Sequence, residues 1–306
     1  MDLSRIGIIG YGEVGKIFAS GLKAKNGVTS MAAWDMKFKD EASGGVELSH
    51  AKQAGVQACA SMQALCAASS FIISAVTASS TLAVAQEAAK HIRAGTVFLD
   101  LNSASPSTKQ KCAALIDAAG GQYVEAGVMT SVPPYGIQVP MLLGGSLGEN
   151  LASLLSKWEL DAKAVSERIG VASAIKMCRS VMIKGLEALV IESYSTARFY
   201  GVEEEMIATL QETFPSIDWK QQGAYFFSRV VQHGKRRAEE MRESARTVQE
   251  AGFEPLMTSA IAAKQQWVAD LATAGVFKAV PKDAAKERDW QAFADALLAF
   301  KLNAKI

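Results

Sequence analysis

"GIIGYGEVGKIFASGL", residues 7–22, is the stretch on which the fold turns. An apolar run ends in Gly10, Gly12 and Gly15, and a helix-like pattern, "EVGKIFASGLKAK", follows without a break. Glycines alone would also serve an ordinary strand-to-helix turn. In this context each has its own physical task. Gly10 permits a tight turn, Gly12 leaves room for a backbone to approach a pyrophosphate, and Gly15 lets helix and strand pack closely. The helix start then presents unpaired N–H groups and the positive end of its dipole to the phosphates.

A second apolar run, "SMAAWD", ends in Asp35, twenty positions after Gly15. A carboxylate there accepts hydrogen bonds from the adenosine ribose hydroxyls and repels a 2′-phosphate. That favours NAD, while Lys37 and Lys39 keep NADP as the alternative. Cofactor contacts are expected from Gly10, Tyr11, Gly12, Glu13, Val14 and Gly15, from Asp35, and from Val76 and Thr77 where the run "FIISAV" ends.

Short apolar runs alternate with helical patterns through "RIGIIG", "SMAAWD", "VQACA", "FIISAV", "TVFLDL" and "QYVEAGVM". The alternation predicts an α/β fold with a parallel, doubly wound Rossmann-type sheet. After about Asp161 the strand signals stop, and long helical patterns rich in Ala, Glu, Lys, Met and Leu take over. We therefore expect a dinucleotide-binding domain over 1–163 and an all-helical domain over 164–306, joined by a long helix with no flexible tether.

A chain of 306 residues with 49% apolar and 21% charged side chains suffices for two ordinary domains. Its net charge of +1 gives no broad field for nucleic acid or an anionic membrane, so a small-molecule partner is expected. Cys59, Cys66, Cys112 and Cys178 lack close pairing and read as buried free thiols in a reducing compartment. His50, His91 and His233 show no metal-ligand spacing, so no metal site is expected. The start "MDLSRIGIIG" shows no export-signal pattern, so a cytoplasmic protein is expected. The uncharged stretch from Gln53 to Gln86 is too rich in Ser and Thr for a membrane span and suits a buried strand between helices.

"DLNSASPSTKQ", beginning at Asp100, resembles the D-x-S-T-x-S-P signature of the β-hydroxyacid dehydrogenases, the group containing 3-hydroxyisobutyrate and 6-phosphogluconate dehydrogenases. Asp100, Ser105 and Pro106 match outright. Asn102 and Ser103 stand where the family places polar residues that contact nicotinamide and substrate, so the resemblance implies that role for them. Ser105 and Pro106 also make a good N-cap and first helical residue, and both readings can hold together. "EAGVMTSVPPYGIQVPMLLGG" resembles the family's "DAPVSGG" stretch, but Met129, Thr130 and Ser131 stand in place of its Ser-Gly-Gly substrate loop. Side chains there reshape the substrate pocket.

"GVASAIKMCRSVMIKGLEALVIESYSTARFYGV" is similar to the family's G-x-G-x-x-x-K-x-x-N-N helix and places Lys176 at the catalytic lysine, with Lys184 as the competitor. At about 100° per residue, Lys176, Arg179, Ser180, Ile183 and Glu187 share a stripe of roughly 120° on a mostly apolar helix, as a buried helix lining a cleft would show. A lysine with its pKa lowered by partial burial can take the proton from a carbinol and return it to a carbonyl oxygen. Arg179 and Ser180 replace the family's amide pair; an arginine suits a carboxylate or phosphate, or a structural pair with an acid such as Glu187. The glutamate used by decarboxylating relatives seven positions after the lysine is Ile183 here, which disfavours that chemistry.

In the final helices His233, Arg236 and Arg237 are helical neighbours that present a cationic patch to substrate or form a solvated charged face. His233 and Arg237 join Ser103, Met129, Thr130, Ser131, Arg179 and Ser180 as candidate substrate contacts. Relatives complete the pocket with this domain and commonly pair through it, which implies a homodimer. The resemblance covers nearly the whole chain, is specific over the first 185 residues, and points to a bacterial branch whose C-terminal domain has no assigned function. The expected activity is hydride transfer between NAD and a small hydroxy acid or related alcohol. NADPH-dependent reduction of a carbonyl or imine, and cofactor binding without turnover, are the alternatives.

Overall fold

Strand β1 (Arg5–Ile9) leads through the glycine turn into helix α1 (Glu13–Lys23). The pattern then repeats along the chain in the computed structural model, which describes residues 1–303. Strand β2 (Ser30–Trp34) precedes α2 (Glu41–Gln53), β3 (Gln57–Ala58) precedes α3 (Met62–Ala68), and β4 (Phe71–Ser74) precedes α4 (Thr81–Ala89). Strand β5 (Val97–Asp100) leads into α5 (Pro106–Ala118), where the Ser105 hydroxyl accepts the Thr108 N–H and Pro106 fills the first turn. Strand β6 (Gln122–Val128), β7 (Met141–Gly144), α6 (Gly148–Ser156) and β8 (Ala162–Ser166) follow.

The eight strands form one sheet in the order β3-β2-β1-β4-β5-β6-β7-β8. Its centre is buried on both faces, so the strands read as continuous apolar runs. Phe71 and Ile73 enter the core on one side with Ile6, Ile8 and Leu99, while Ile72 enters the opposite core with Ile9 and Phe98.

Two features correct the expected sheet. Strand β7 runs antiparallel to β6, pairing Gly127 with Leu142. No α-helix crosses between them, and a direct return without a crossover forces the antiparallel arrangement. Strand β8 then pairs in parallel with β7 and lies beyond Asp161, where strand signals were expected to end. Its sequence, AKAVS, is only half-buried along most of its length and lacks a dense apolar run.

Beyond β8 the described residues form helices: α7 (Val171–Tyr200), α8 (Glu203–Thr213), α9 (Trp219–Glu250), α10 (Leu256–Thr273) and α11 (Gln291–Asn303). The chain divides into two compact units, Met1–Cys178 and a second that begins at Arg179, so the division falls inside α7. The second unit has its own core, in which the Tyr194 ring meets Trp290 edge-on at 4.8 Å and Phe227 stacks on Phe293. No helix among the described residues is long and apolar enough to cross a membrane. Cys59, Cys66 and Cys112 are buried, but Cys178 is exposed, contrary to the expectation for all four. Its neighbours on the helix, Ile175 and Arg179, are exposed as well, so the helical face that carries them is not a core face.

Candidate active site in the first unit

The glycine turn is built by close contacts. Gly10 has φ +86°, and a Cβ there would stand 2.5 Å from the Ala75 carbonyl oxygen. A Cβ on Gly15 would lie 2.0 Å from the Gly10 oxygen, so α1 can follow β1 this tightly only without one. Gly12 differs: nothing lies within 4 Å of its Cβ position, and it caps α1 with no side-chain hydrogen bond. Open space above the start of a helix is what a pyrophosphate needs, so these residues fit a dinucleotide.

Asp35, half-buried at the end of β2, is tied to that turn. One carboxylate oxygen accepts the Tyr11 N–H at 2.7 Å and the other accepts the Lys37 N–H at 2.9 Å. The Tyr11 side chain is fully buried, with its ring against Phe38 and His50 and its hydroxyl 3.1 Å from His50 Nδ1. Tyr11 therefore offers the turn its backbone, while Glu13 is exposed and Val14 half-buried at the start of α1. Glu47 on α2 lies 3.6 Å from Lys37 and 3.5 Å from Lys16, both through Oε1. Burial works against its charge, yet its own backbone N–H and the two lysines hold its carboxyl below the usual range.

Past β4 and β5 two loops are stapled together. The Val76 N–H donates to Asn102 Oδ1 at 2.7 Å, and Asn102 Nδ2 donates to Ser74 Oγ at 3.0 Å. Thr77 is exposed, its hydroxyl shared with Ser79 and Ser80. Beneath them Asp100 takes the Asn102 N–H at 2.8 Å, the Tyr123 hydroxyl at 2.6 Å and Lys109 Nζ at 2.9 Å. Lys109 and Asp100 are each 1% exposed. Burial, then the Asp100 charge, pushes the Tyr123 hydroxyl well above its ordinary pKa, which keeps it a proton donor to that carboxylate. Neither Lys109 nor Tyr123 stands out in the sequence. The signal present is a lysine at a core position of α5.

The next residue, Ser103, meets α7. Lys176 Nζ donates to Ser103 Oγ at 2.6 Å, and both residues are half-buried. An ammonium and a hydroxyl at this distance can hydrogen-bond a further oxygen and exchange a proton with it. Met129 and Ser131 are half-buried and Thr130 exposed beyond β6, where the Met129 N–H is taken by the Pro140 carbonyl.

In the second unit the expected single stripe of α7 splits. Arg179 and Ile183 are exposed, whereas Ser180 and Glu187 are buried. Lys184, also buried, donates to Ser180 Oγ at 3.1 Å and pairs with Glu240 at 2.8 Å. Glu187 is paired with Arg237 through both oxygens, and not with Arg179, and it also accepts from Gln265 Nε2 at 3.2 Å. Arg237 is thus a buried partner of Glu187, while His233 is half-buried one turn earlier on α9.

Comparison with known proteins bears on these two units separately. Residues 5–134 match the family described as the NAD binding domain of 6-phosphogluconate dehydrogenase, and residues 197–268 match a domain of unknown function, DUF1932. A conserved hypothetical protein from Sinorhizobium meliloti is 35% identical, with a TM-score of 0.75 over 96% of this chain and 97% of that one. The conserved protein MTH1747, described as structurally similar to 3-hydroxyacid dehydrogenases, is 28% identical with a TM-score of 0.68 over 88% and 98%. The 3-hydroxyisobutyrate dehydrogenase of Mycobacterium tuberculosis, solved with L-serine, is 14% identical and shares the fold, with a TM-score of 0.63 over 95% and 98%. The chain belongs to the β-hydroxyacid dehydrogenase superfamily, in the branch that joins its nucleotide-binding domain to a C-terminal domain of unassigned function.

Proposed function

We propose that the chain is an NAD-dependent oxidoreductase acting on a small hydroxy acid or related alcohol, with Lys176 as proton donor and acceptor. The observation that supports it most is the 2.6 Å contact between Lys176 Nζ and Ser103 Oγ in the unit that carries the glycine turn. The chemistry a nicotinamide would supply when bound is hydride transfer from a carbinol carbon, or back to a carbonyl. Gly10 to Gly15 would hold the pyrophosphate by backbone N–H groups, and Asp35 would turn its remaining lone pairs to the ribose. Asn102 braces the loops after β4 and β5, which would carry nicotinamide and substrate. Lys176 takes the hydroxyl proton as the neutral amine in one direction and gives it back as the ammonium in the other, and Ser103 fixes where Nζ points.

The substrate class is a small carboxylate-bearing molecule. The side chains of Met129, Thr130 and Ser131 stand half-buried or exposed in the loop after β6, where they are the substrate contacts of the first unit in this reading. We place the enzyme in the cytoplasm as a homodimer. One feature favours the second reading, an NADPH-dependent carbonyl or imine reductase: both Asp35 oxygens already bind backbone N–H groups, and Lys37 and Lys39 are exposed beside it.

The test is a screen of β-hydroxy acids with NAD, and of carbonyl compounds with NADH and NADPH, on wild type and Lys176→Ala. Oxidation of a hydroxy acid with NAD, lost in the variant, supports the dehydrogenase. Turnover only with NADPH and carbonyls favours the reductase. Tight cofactor binding with no turnover of either set overturns both in favour of a cofactor-binding protein.

A further inference from the structure

Glu125 lies in the middle of β6 and is fully buried. An ionised carboxylate in such a place needs hydrogen-bond donors around it. Its donors come from the start of α7, forty-five residues and more along the chain. Oε1 accepts the N–H of Gly170 at 2.7 Å and of Ala172 at 3.1 Å, and Oε2 accepts that of Ser173 at 3.3 Å. The first turn of the helix is thus capped from the sheet instead of by the residue that precedes it. The positive end of the helix dipole favours the negative charge there.

The surroundings are shaped for this contact. A Cβ on Gly144, which pairs with Glu125 across β6 and β7, would stand 2.5 Å from Oε1. A Cβ on Gly127, two residues along β6, would stand 3.0 Å from the Ala172 carbonyl oxygen and 3.6 Å from Lys176 Cβ. Glu125 and Asp100 are register partners on β6 and β5. Asp100 fixes the segment that presents Ser103, and Glu125 fixes the turn that precedes Lys176.

We propose that Glu125 is a positioning residue, holding the first turn of α7 at the height that sets Lys176 Nζ on Ser103 Oγ. Both halves of the pair then hang from one rung of the sheet, and a change at Glu125 reaches Lys176 through one helical turn. The value of this for turnover rests on Lys176 being the proton-transfer residue, but the placement itself is measurable without a substrate.

The experiment uses full-length protein as wild type, Glu125→Gln, Glu125→Asp and Gly144→Ala. The last keeps the carboxylate and crowds it. Three quantities are read: amide hydrogen exchange over 170–173, the rate and pH profile of Lys176 acetylation by trace acetic anhydride, and NADH affinity. In Glu125→Gln, exchange in the first turn should rise about tenfold. Lys176 should acetylate several-fold faster with a displaced pH profile, Glu125→Asp should restore part of both, and Gly144→Ala should fall between. NADH affinity should stay within about twofold, because the glycine turn is not touched. Faster exchange with an unchanged Lys176 profile would make Glu125 a helix cap only and overturn the proposal. If Glu125→Gln does not fold, Gly144→Ala decides by the same readouts. Failure to find any hydroxy acid or carbonyl substrate would count against the proposed activity and leave this measurement intact.

Discussion

Lys176 and Ser103 are seventy-three residues apart in the chain, and Nζ of the first donates to Oγ of the second at 2.6 Å. Removing the amine should therefore remove proton transfer without removing the cofactor cradle. Lys176→Ala should lower kcat by about 10²–10⁴-fold while NADH affinity changes little. Ser103→Ala should cost less, because the ammonium remains and loses only a fixed direction. Steady-state kinetics on any substrate found by the screen, beside cofactor titrations, check both. Loss of NADH binding in Lys176→Ala would show that the lysine supports the fold instead.

Asp35 holds the turn, since its carboxylate accepts the Tyr11 N–H, besides the ribose contact proposed for it. Asp35→Ala should consequently weaken both cofactors through the turn, NADH by about tenfold or more for the loss of charged hydrogen bonds and NADPH by less, because the repulsion of its 2′-phosphate goes with the carboxylate. Glu47→Gln acts on Lys37 and Lys16 and leaves the turn alone. It should strengthen NADPH binding several-fold with NADH unchanged, because the freed ammonium groups can meet a 2′-phosphate. Fluorescence titration of both cofactors separates these effects. An Asp35→Ala variant that loses only NADH would show that the turn does not depend on Asp35.

Six strands, the glycine turn from β1 into α1 and the long helix that carries Lys176 were legible in the sequence because each has a local pattern: dense apolar runs, fixed glycine spacing, and helical periodicity. What was not legible depends on tertiary contact. Glu125 reads as a polar interruption of "QYVEAGVM", and only the approach of Gly170 to Ser173 gives it donors. A trace of it exists, since α7 is preceded by Gly170 and begins "VASA", with no acidic residue in its first turn. Lys109 and Tyr123 become partners only because α5 and β6 meet over Asp100. The stripe on α7 failed as a single environment because helical angle does not say which neighbours cover each part of a long helix. Strand β8, half-buried at the end of the sheet, has no apolar alternation to announce it.

The Lys109 and Asp100 pair is almost completely out of solvent, so breaking it from one side leaves a buried charge. Lys109→Met should destabilise the first unit by about 3–5 kcal/mol, measured by urea unfolding. Tyr123→Phe removes one neutral donor from the same carboxylate and should cost less, about 1–3 kcal/mol. Equal losses in the two variants would mean that Asp100 is not held mainly by the ammonium.

The four thiols should separate by reactivity. Burial raises Cys66 to about 11 and Cys112 to about 12, and raises Cys59 as well, so their thiolate fractions at neutral pH are very small. Cys178 is exposed. Native protein at pH 7.5 should show one fast-reacting thiol toward a small disulfide reagent, and denatured protein should show four. Cys178→Ser should abolish the fast phase. Its survival in that variant would mean that one of the buried thiols opens to solvent.

Arg198 is tied to two acids in the second unit, donating to Glu203 at 2.5 Å and to Asp295 at 2.8 Å. Hydrogen bonds to Asp295 and Glu203 raise its pKa, and the bond to Arg198 lowers that of Glu203. A carboxyl whose folded pKa is depressed stabilises the fold above its unfolded pKa, and that contribution disappears as pH falls through the folded value. Arg198 is about one-third exposed and Asp295 half-exposed, so solvent screening keeps the gain small. Arg198→Met should lower stability by no more than about 1 kcal/mol at neutral pH. The difference from wild type should shrink toward zero as the solution is acidified past the ordinary carboxyl range. Thermal melts of both proteins across that range test the sign. A gap that stays constant, or widens, in acid would assign the contribution of Arg198 to the packing of its aliphatic stem and not to its charge.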